Sequence, residues 1–254
     1  MHLITSWNSD APLVIAHRGA SLRAPENTLA AFRLAEEMGA DAIELDAKLT
    51  KDGHVVVHHD RTLERTTDGE GLLAKCTLEE LKRLDAGSHF NSEFKGERIP
   101  TLQEVFDIVG KRTLINIELS NYATPWDSLP SEVVKLVNVN RLDSRVLFSS
   151  FSPISLLRVG QLAANIPRGL LVMPREPTWV RFLFKQISTY QAYHPHWRIA
   201  DQNAIQGQHK AGRRVYVWTV NEPKRMTTLI KLGVDGVITD TPEVACKVIS
   251  QMGL

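Results

Sequence analysis

The sequence predicts an α/β fold, a (β/α)8 TIM barrel built from one domain of residues 1–254 with a small subdomain inserted after the second strand at about 51–100. Three observations carry this. Short β-branched or apolar runs recur eight times, most are followed by a stretch of helical periodicity, and eight such units in 254 residues match a barrel's size. Alternation of this kind needs parallel strands joined by right-handed crossovers. A doubly wound open sheet is the alternative arrangement of the same units.

The eight runs are Leu13–Ala16, Ala42–Leu45, Thr113–Ile117, Arg145–Phe148, Gly169–Val172, Ala192–His194, Arg214–Val217 and Val234–Ile238. After the first, Leu29, Phe32, Leu34, Ala35 and Met38 lead to Gly39 with the spacing of a helix that stops at a glycine. Between the second and third runs lies the one long gap, read as a lid over the barrel mouth. It opens with a hairpin, because Asp52-Gly53 stands between two extended stretches. A two-residue turn there pairs Lys51 with His54 and, counting back, Asp46 with His59. Thr77-Leu78-Glu79-Glu80 then has the form of a capping box that starts a helical turn. In the second half, Trp179, Phe182 and Phe184 surround Arg181 in a helix-like stretch expected to pack on the barrel. His194-Pro195-His196-Trp197 reads as a loop after strand six, and Met226, Leu229, Ile230 and Leu232 form the last periodic stretch, ahead of Gly233.

Composition narrows the function classes. Lys and Arg number 30 against 29 Asp and Glu, for a net charge of +1 with no block of like charges, so nucleic acid and anionic membrane surfaces are not expected partners. With 43% hydrophobic and 23% charged residues, the chain is an ordinary globular one. No apolar run approaches the roughly 18 residues of a membrane span. The first residues carry no Lys or Arg before Arg18 and are interrupted by Asn8, Ser9 and Asp10, unlike a secretory leader, so a cytoplasmic location is expected. Cys76 and Cys246 fit no metal spacing and are read as reduced thiols.

Barrel enzymes work at the C-terminal ends of their strands. The first run ends in His17-Arg18, the second carries Glu44 and Asp46, and the third ends at Glu118. Glu44 and Asp46 are two apart and share a face, and Glu118 comes from the neighbouring strand, so three carboxylates converge. Hard oxygen donors of this kind fit Mg2+ or Ca2+ better than zinc. The hairpin register turns His59 toward this site and His58 away, so His17 and His59 flank the metal as an acid/base pair. Arg18 adds a planar donor for phosphate. Trp218, after the seventh run, is read as an apolar wall of the pocket. Asn27 is read as a helix cap, Glu26 as a capping residue or as one that orients Arg18, and Asp235 and Asp240 as strand-end or capping residues.

Taken together, His17-Arg18-Gly19, Pro25-Glu26-Asn27-Thr28, Glu44-x-Asp46, Lys51-Asp52-Gly53, His59-Asp60, Asn116-Ile117-Glu118-Leu119 and Gly233-Val234-Asp235-Gly236 through Asp240-Thr241-Pro242 resemble the glycerophosphodiester phosphodiesterase family, in its bacterial cytoplasmic form. The resemblance spans nearly the whole chain. It implies hydrolysis of a small-molecule glycerophosphodiester to sn-glycerol 3-phosphate and an alcohol. His17 and His59 would be the acid/base pair, Arg18 the phosphate contact, and Glu44, Asp46 and Glu118 the ligands of Mg2+ or Ca2+. A lysophospholipase D activity and a non-catalytic binding module are the alternatives; a homo-oligomer is compatible with all three. One position departs from the family, which has a lysine two residues after the third metal carboxylate where this chain has Ser120. Losing a cation beside a phosphate costs on the order of 1–3 kcal/mol. Ser120 is expected to hydrogen-bond the phosphate while Arg18 carries the charge.

Overall fold

Strands covered by helices on one side and filled by their own side chains on the other are apolar on both faces, which is why these runs read as continuous rather than alternating. The computed structural model describes residues 6–110, 112–174 and 189–254. Trp179, Arg181, Phe182 and Phe184 lie outside the described residues.

In chain order the elements are β1 (Leu13–His17), α1 (Leu29–Glu37), β2 (Ala42–Leu49), β3 (Val55–Val57), α2 (Leu78–Arg83), α3 (Leu102–Val109), β4 (Leu114–Leu119), α4 (Leu129–Asn140), β5 (Val146–Ser150) and α5 (Pro153–Leu162). They continue as β6 (Arg168–Val172), β7 (Ala192–Pro195), α6 (Gln202–Lys210), β8 (Arg214–Val217), α7 (Pro223–Lys231), β9 (Gly236–Thr239) and α8 (Pro242–Gln251). All strands but β3 are parallel, and the pairing of β1 with both β2 and β9 closes the sheet into the expected (β/α)8 barrel. The open sheet is thereby excluded. His194 and Pro195 belong to β7 rather than to a loop.

Inside the barrel, Leu13, Ile15, Ala42, Leu114, Leu147, Ala192, Tyr216 and Ile238 form one buried cluster. The opposite face of the strands, with Ile43, Leu45, Ile115, Ile117 and Phe148, packs on Phe32, Val105, Phe106 and Val133 of the helices. Above the inner cluster the inward positions turn polar: Glu44 and Asp46 on β2, Asn116 and Glu118 on β4. A strand interior switching from apolar to ionisable toward its C-terminal end marks the working face.

The segment between β2 and α3 has a small core of its own, made of Val56, Leu63, Leu73, Leu81, Ala86 and Ile99. Thr77 and Glu80 form the expected capping box at α2. The hairpin register differs from the expected one. Ala47 opposes Val57 and Leu49 opposes Val55, so Thr50 pairs with His54 across Lys51-Asp52-Gly53, and the His58 amide donates to the Asp46 carbonyl at 2.9 Å. The loop has three residues, not two, because Gly53 at φ +84° takes the left-handed position that closes a type I turn into a bulge.

Candidate active site

The site begins at the end of β1, where Arg18 and Gly19 both take positive φ, +55° and +83°. A Cβ on Gly19 would stand 2.6 Å from the Ala31 backbone, so only glycine lets the chain turn against α1 here. This turn aims the Arg18 amide at Glu44 Oε2, 3.0 Å away. It also swings the guanidinium to Glu26 Oε1 at 2.8 Å and to Asp46 Oδ2 at 3.3 Å.

Glu44, Asp46 and Glu118 each offer an oxygen within 4.8 Å of the others, and all three are buried. Burial, and then repulsion from Asp46 and Glu118, pushes the Glu44 carboxyl well above its ordinary value; burial and Asp46 push Glu118 up to about 8. Burial acts the same way on Asp46, but Arg18 and His59 outweigh it and hold Asp46 low. Three hard oxygen donors that resist sharing negative charge fit a hard divalent cation.

Asn27, at φ +57°, donates its amide to Asp46 Oδ2 at 2.9 Å. It is not the cap of α1, since Thr28 caps that helix by accepting from the Ala31 amide. Glu26 likewise caps nothing. It accepts from Arg18 and, at 2.7 and 2.8 Å, from Arg65.

Each histidine is tied to its own carboxylate through Nδ1. His17 Nδ1 lies 2.6 Å from Asp240 Oδ1, and His59 Nδ1 lies 2.6 Å from Asp60 Oδ1. Burial would raise Asp240, yet bonds from His17, Asn221 and Ser21 bring it below the ordinary range; burial would raise Asp60 too, but Arg65 and His59 together outweigh it and hold Asp60 low. Ionised carboxylates only accept, so Nδ1 carries the proton in both rings and Nε2 is the nitrogen left for proton exchange. Asp240 is therefore a positioning residue rather than a cap.

One pocket is lined by His17, Arg18, Glu44, His59, Asn116 and Glu118 on its polar side and by Phe151, Leu171, Met173, Trp218 and Ile238 on its apolar side. His59 thus reaches the pocket although the register that placed it there was wrong by one residue. β3 ends at Val57, and beyond it the alternation no longer applies. His58, directly opposite Asp46, is buried and bonded through Nε2 to the Thr62 carbonyl. Ser120 is buried among the carboxylates, its hydroxyl 3.2 Å from Asp46 Oδ1 and 3.3 Å from Glu118 Oε1. Tyr122 also donates to Glu118. Trp218 is anchored by its indole N–H on the His194 carbonyl at 2.7 Å and meets Phe151 edge to face.

Asn27, Asn116 and Phe151 were not among the expected site residues. Asn116 was within reach of the strand-alternation rule, lying two before Glu118; nothing in the local pattern marks Asn27.

Buried carboxylates beside an arginine and two carboxylate-anchored imidazoles stand together at the C-terminal end of a (β/α)8 barrel, a set that suits a phosphate ester beside a divalent cation. The chain belongs to the glycerophosphoryl diester phosphodiesterase family, whose model matches residues 17–244. It is 43% identical over 244 residues to the glycerophosphodiester phosphodiesterase of Caldanaerobacter subterraneus, covering 95% of this chain and 99% of that one. It is 36% identical over 245 residues to that of Bacillus altitudinis, covering 94% of this chain and 98% of the other. Among solved structures it resembles an Oleispira antarctica phosphodiesterase in complex with its product sn-glycerol-3-phosphate, with a TM-score of 0.89 and 35% identity over 96% of this chain and 99% of that one.

Proposed function

We propose that the protein hydrolyses glycerophosphodiesters to sn-glycerol 3-phosphate and an alcohol, with a divalent cation, Mg2+ or Ca2+, held by Glu44, Asp46 and Glu118. The observation that carries this reading is the single pocket that joins the carboxylates and Arg18 to two imidazoles, each with a carboxylate on Nδ1. The names of the relatives and the product bound in the Oleispira neighbour support the substrate class.

The cation, when bound, polarises a phosphoryl oxygen and lowers the pKa of an attacking hydroxyl. The chain's own residues do the rest. Arg18, fixed by Glu26, binds a non-bridging phosphate oxygen and takes up charge as it grows. One histidine accepts at Nε2 the proton of the attacking oxygen as its bond to phosphorus forms. The other donates from Nε2 to the departing alcohol oxygen as the old P–O bond breaks. Asp240 and Asp60 stabilise the imidazolium in turn. Ser120 contributes through the carboxylates it touches, reaching phosphate by way of water, and Trp218 with Phe151 walls the glycerol side. The same residues serve attack by water or by the glycerol 2-hydroxyl.

Among the described residues no helix is long and apolar enough to cross a membrane, and both cysteines are free. Free thiols support action in the reducing cytoplasm. The test is release of glycerol 3-phosphate from glycerophosphocholine by metal-stripped protein, before and after adding Mg2+ or Ca2+, alongside Glu44→Ala. Metal-dependent release that the variant lacks supports the reading; a folded wild type inactive with both metals overturns it in favour of a binding module.

A further inference from the structure

Lys48 continues the inward series of β2. Glu44, Asp46 and Lys48 are spaced by two on one strand, so the lysine stem rises on the face that carries the carboxylates, one step nearer the barrel mouth. Its ammonium donates to the Ser120 carbonyl at 3.0 Å, across the gap to the end of β4. Lys48 is thus brought to the very residue where the family's lysine is missing. Its nearest charged surroundings are Asp46, Glu118 and Asp60, with Arg61 as the cation on that side, yet it forms no ion pair with any of them. One of three ammonium protons is committed to Ser120, which leaves two to offer.

Charge arithmetic shows what this cation is worth. Three carboxylates against a divalent cation and one guanidinium sum to zero, before Glu26, which also pairs with Arg18, is counted. Lys48 adds a positive charge on the side of Ser120. Ser120, meanwhile, has its hydroxyl turned to Asp46 and Glu118, so it cannot replace the charge.

Resting on the phosphodiesterase reading above, we propose that Lys48 is a phosphate-binding residue, its ammonium supplying from β2 the positive charge that a lysine at position 120 supplies from β4 elsewhere in the family. From beside the Ser120 carbonyl, Lys48 would meet a non-bridging phosphate oxygen, adding a second cation to Arg18 as negative charge grows while the attacking oxygen closes on phosphorus.

The test compares wild type, Lys48→Met, Ser120→Lys and the double variant. It reads kcat and KM on glycerophosphocholine with Mg2+, calorimetric affinity for sn-glycerol 3-phosphate, and calorimetric affinity for Mg2+ alone. Lys48→Met is expected to lose roughly 30- to 300-fold in kcat/KM and about 10-fold in glycerol 3-phosphate affinity, with Mg2+ affinity kept or improved. Ser120→Lys alone is expected to stay at or below wild type, because the charge is already there, while the double variant recovers most of the loss. Lys48→Met within about 2-fold of wild type overturns the proposal. So does a loss that the double variant fails to recover, since Lys48 would then only brace the Ser120 backbone. Should Lys48→Met not fold, the pair Lys48→Arg and Lys48→Gln replaces it: Arg well above Gln supports the proposal, and equal activity overturns it. A wild type inactive on glycerophosphocholine but still binding glycerol 3-phosphate more tightly than Lys48→Met counts against the hydrolase reading and leaves the lysine in place.

Discussion

His17 Nδ1 and Asp240 Oδ1 stand 2.6 Å apart although 223 residues of chain separate them. The pairing of β1 with β9 brings them together, because it sets the first and last strand ends side by side when the barrel closes. The carboxylate fixes which nitrogen carries the proton in the neutral ring, so closure of the fold sets the tautomer and orientation of His17.

Replacing that carboxylate by an amide keeps the shape and removes the constraint. Asp240→Asn is expected to lower kcat by roughly 10²- to 10⁴-fold with KM little changed and the melting temperature within a few degrees of wild type. A steady-state comparison on glycerophosphocholine with parallel thermal melts checks it; unchanged kcat would remove Asp240 from the machinery.

Asn27 is expected to act on the cation rather than on the phosphate. Its amide orients Asp46, so Asn27→Ala should weaken Mg2+ or Ca2+ binding by roughly 10- to 100-fold. Asp46→Asn should abolish measurable binding. Calorimetric titration of metal-stripped protein reads both, and equal affinity in Asn27→Ala and wild type would count against the orienting role.

His194 predicts the acid side of stability. Fully buried between Tyr216 and Gly169, it is held by desolvation at about 3 against an ordinary value of 6.5. The unfolded chain therefore takes a proton that the folded one refuses. The contribution is complete above about pH 6.5 and is lost progressively as pH falls toward 3, on the order of 5 kcal/mol in all. Urea unfolding at pH 7, 5 and 4 should show this slope in wild type and a flatter one in His194→Leu; identical slopes would refute it.

Gly19→Ala tests the turn that aims Arg18. A side chain at φ +83° with its Cβ 2.6 Å from the Ala31 backbone should cost about 1–3 kcal/mol in strain and displace the guanidinium. Both a lower denaturation midpoint and a raised KM are expected. A variant as stable as wild type would show that the turn relaxes freely.

The barrel was legible in the sequence because eight apolar runs at regular spacing leave few other ways to bury them. The carboxylates were legible because alternation along β2 and β4 is strict. Beyond β3 the alternation ends, and there the geometry drawn from the sequence misplaced the hairpin: counting Asp52-Gly53 as a two-residue turn missed that Gly53 adds a bulge. His59 was found by a register that does not exist. Asn27 departs from its expected role for a different reason, while Glu26 takes the second of its two expected roles and holds Arg18. A polar residue before a helix is most often a cap, and only the positive φ at Asn27, invisible in the sequence, turns its amide back onto Asp46. The His17–Asp240 contact depends on which two strands seal the barrel, which is a property of the whole chain and of no local segment.

The insertion carries its own small core and yet contributes His59 to the pocket, with Asp60 on the His59 ring and Arg65 gripping Glu26, which in turn holds Arg18. The machinery is therefore divided between two bodies of packing. The barrel alone carries the three carboxylates, Arg18 and one imidazole. On the proposed reading turnover needs the second imidazole, and Arg65 ties the insertion that carries it to the barrel through Glu26. Loosening one guanidinium would then part the two imidazoles without touching the strands that hold the fold.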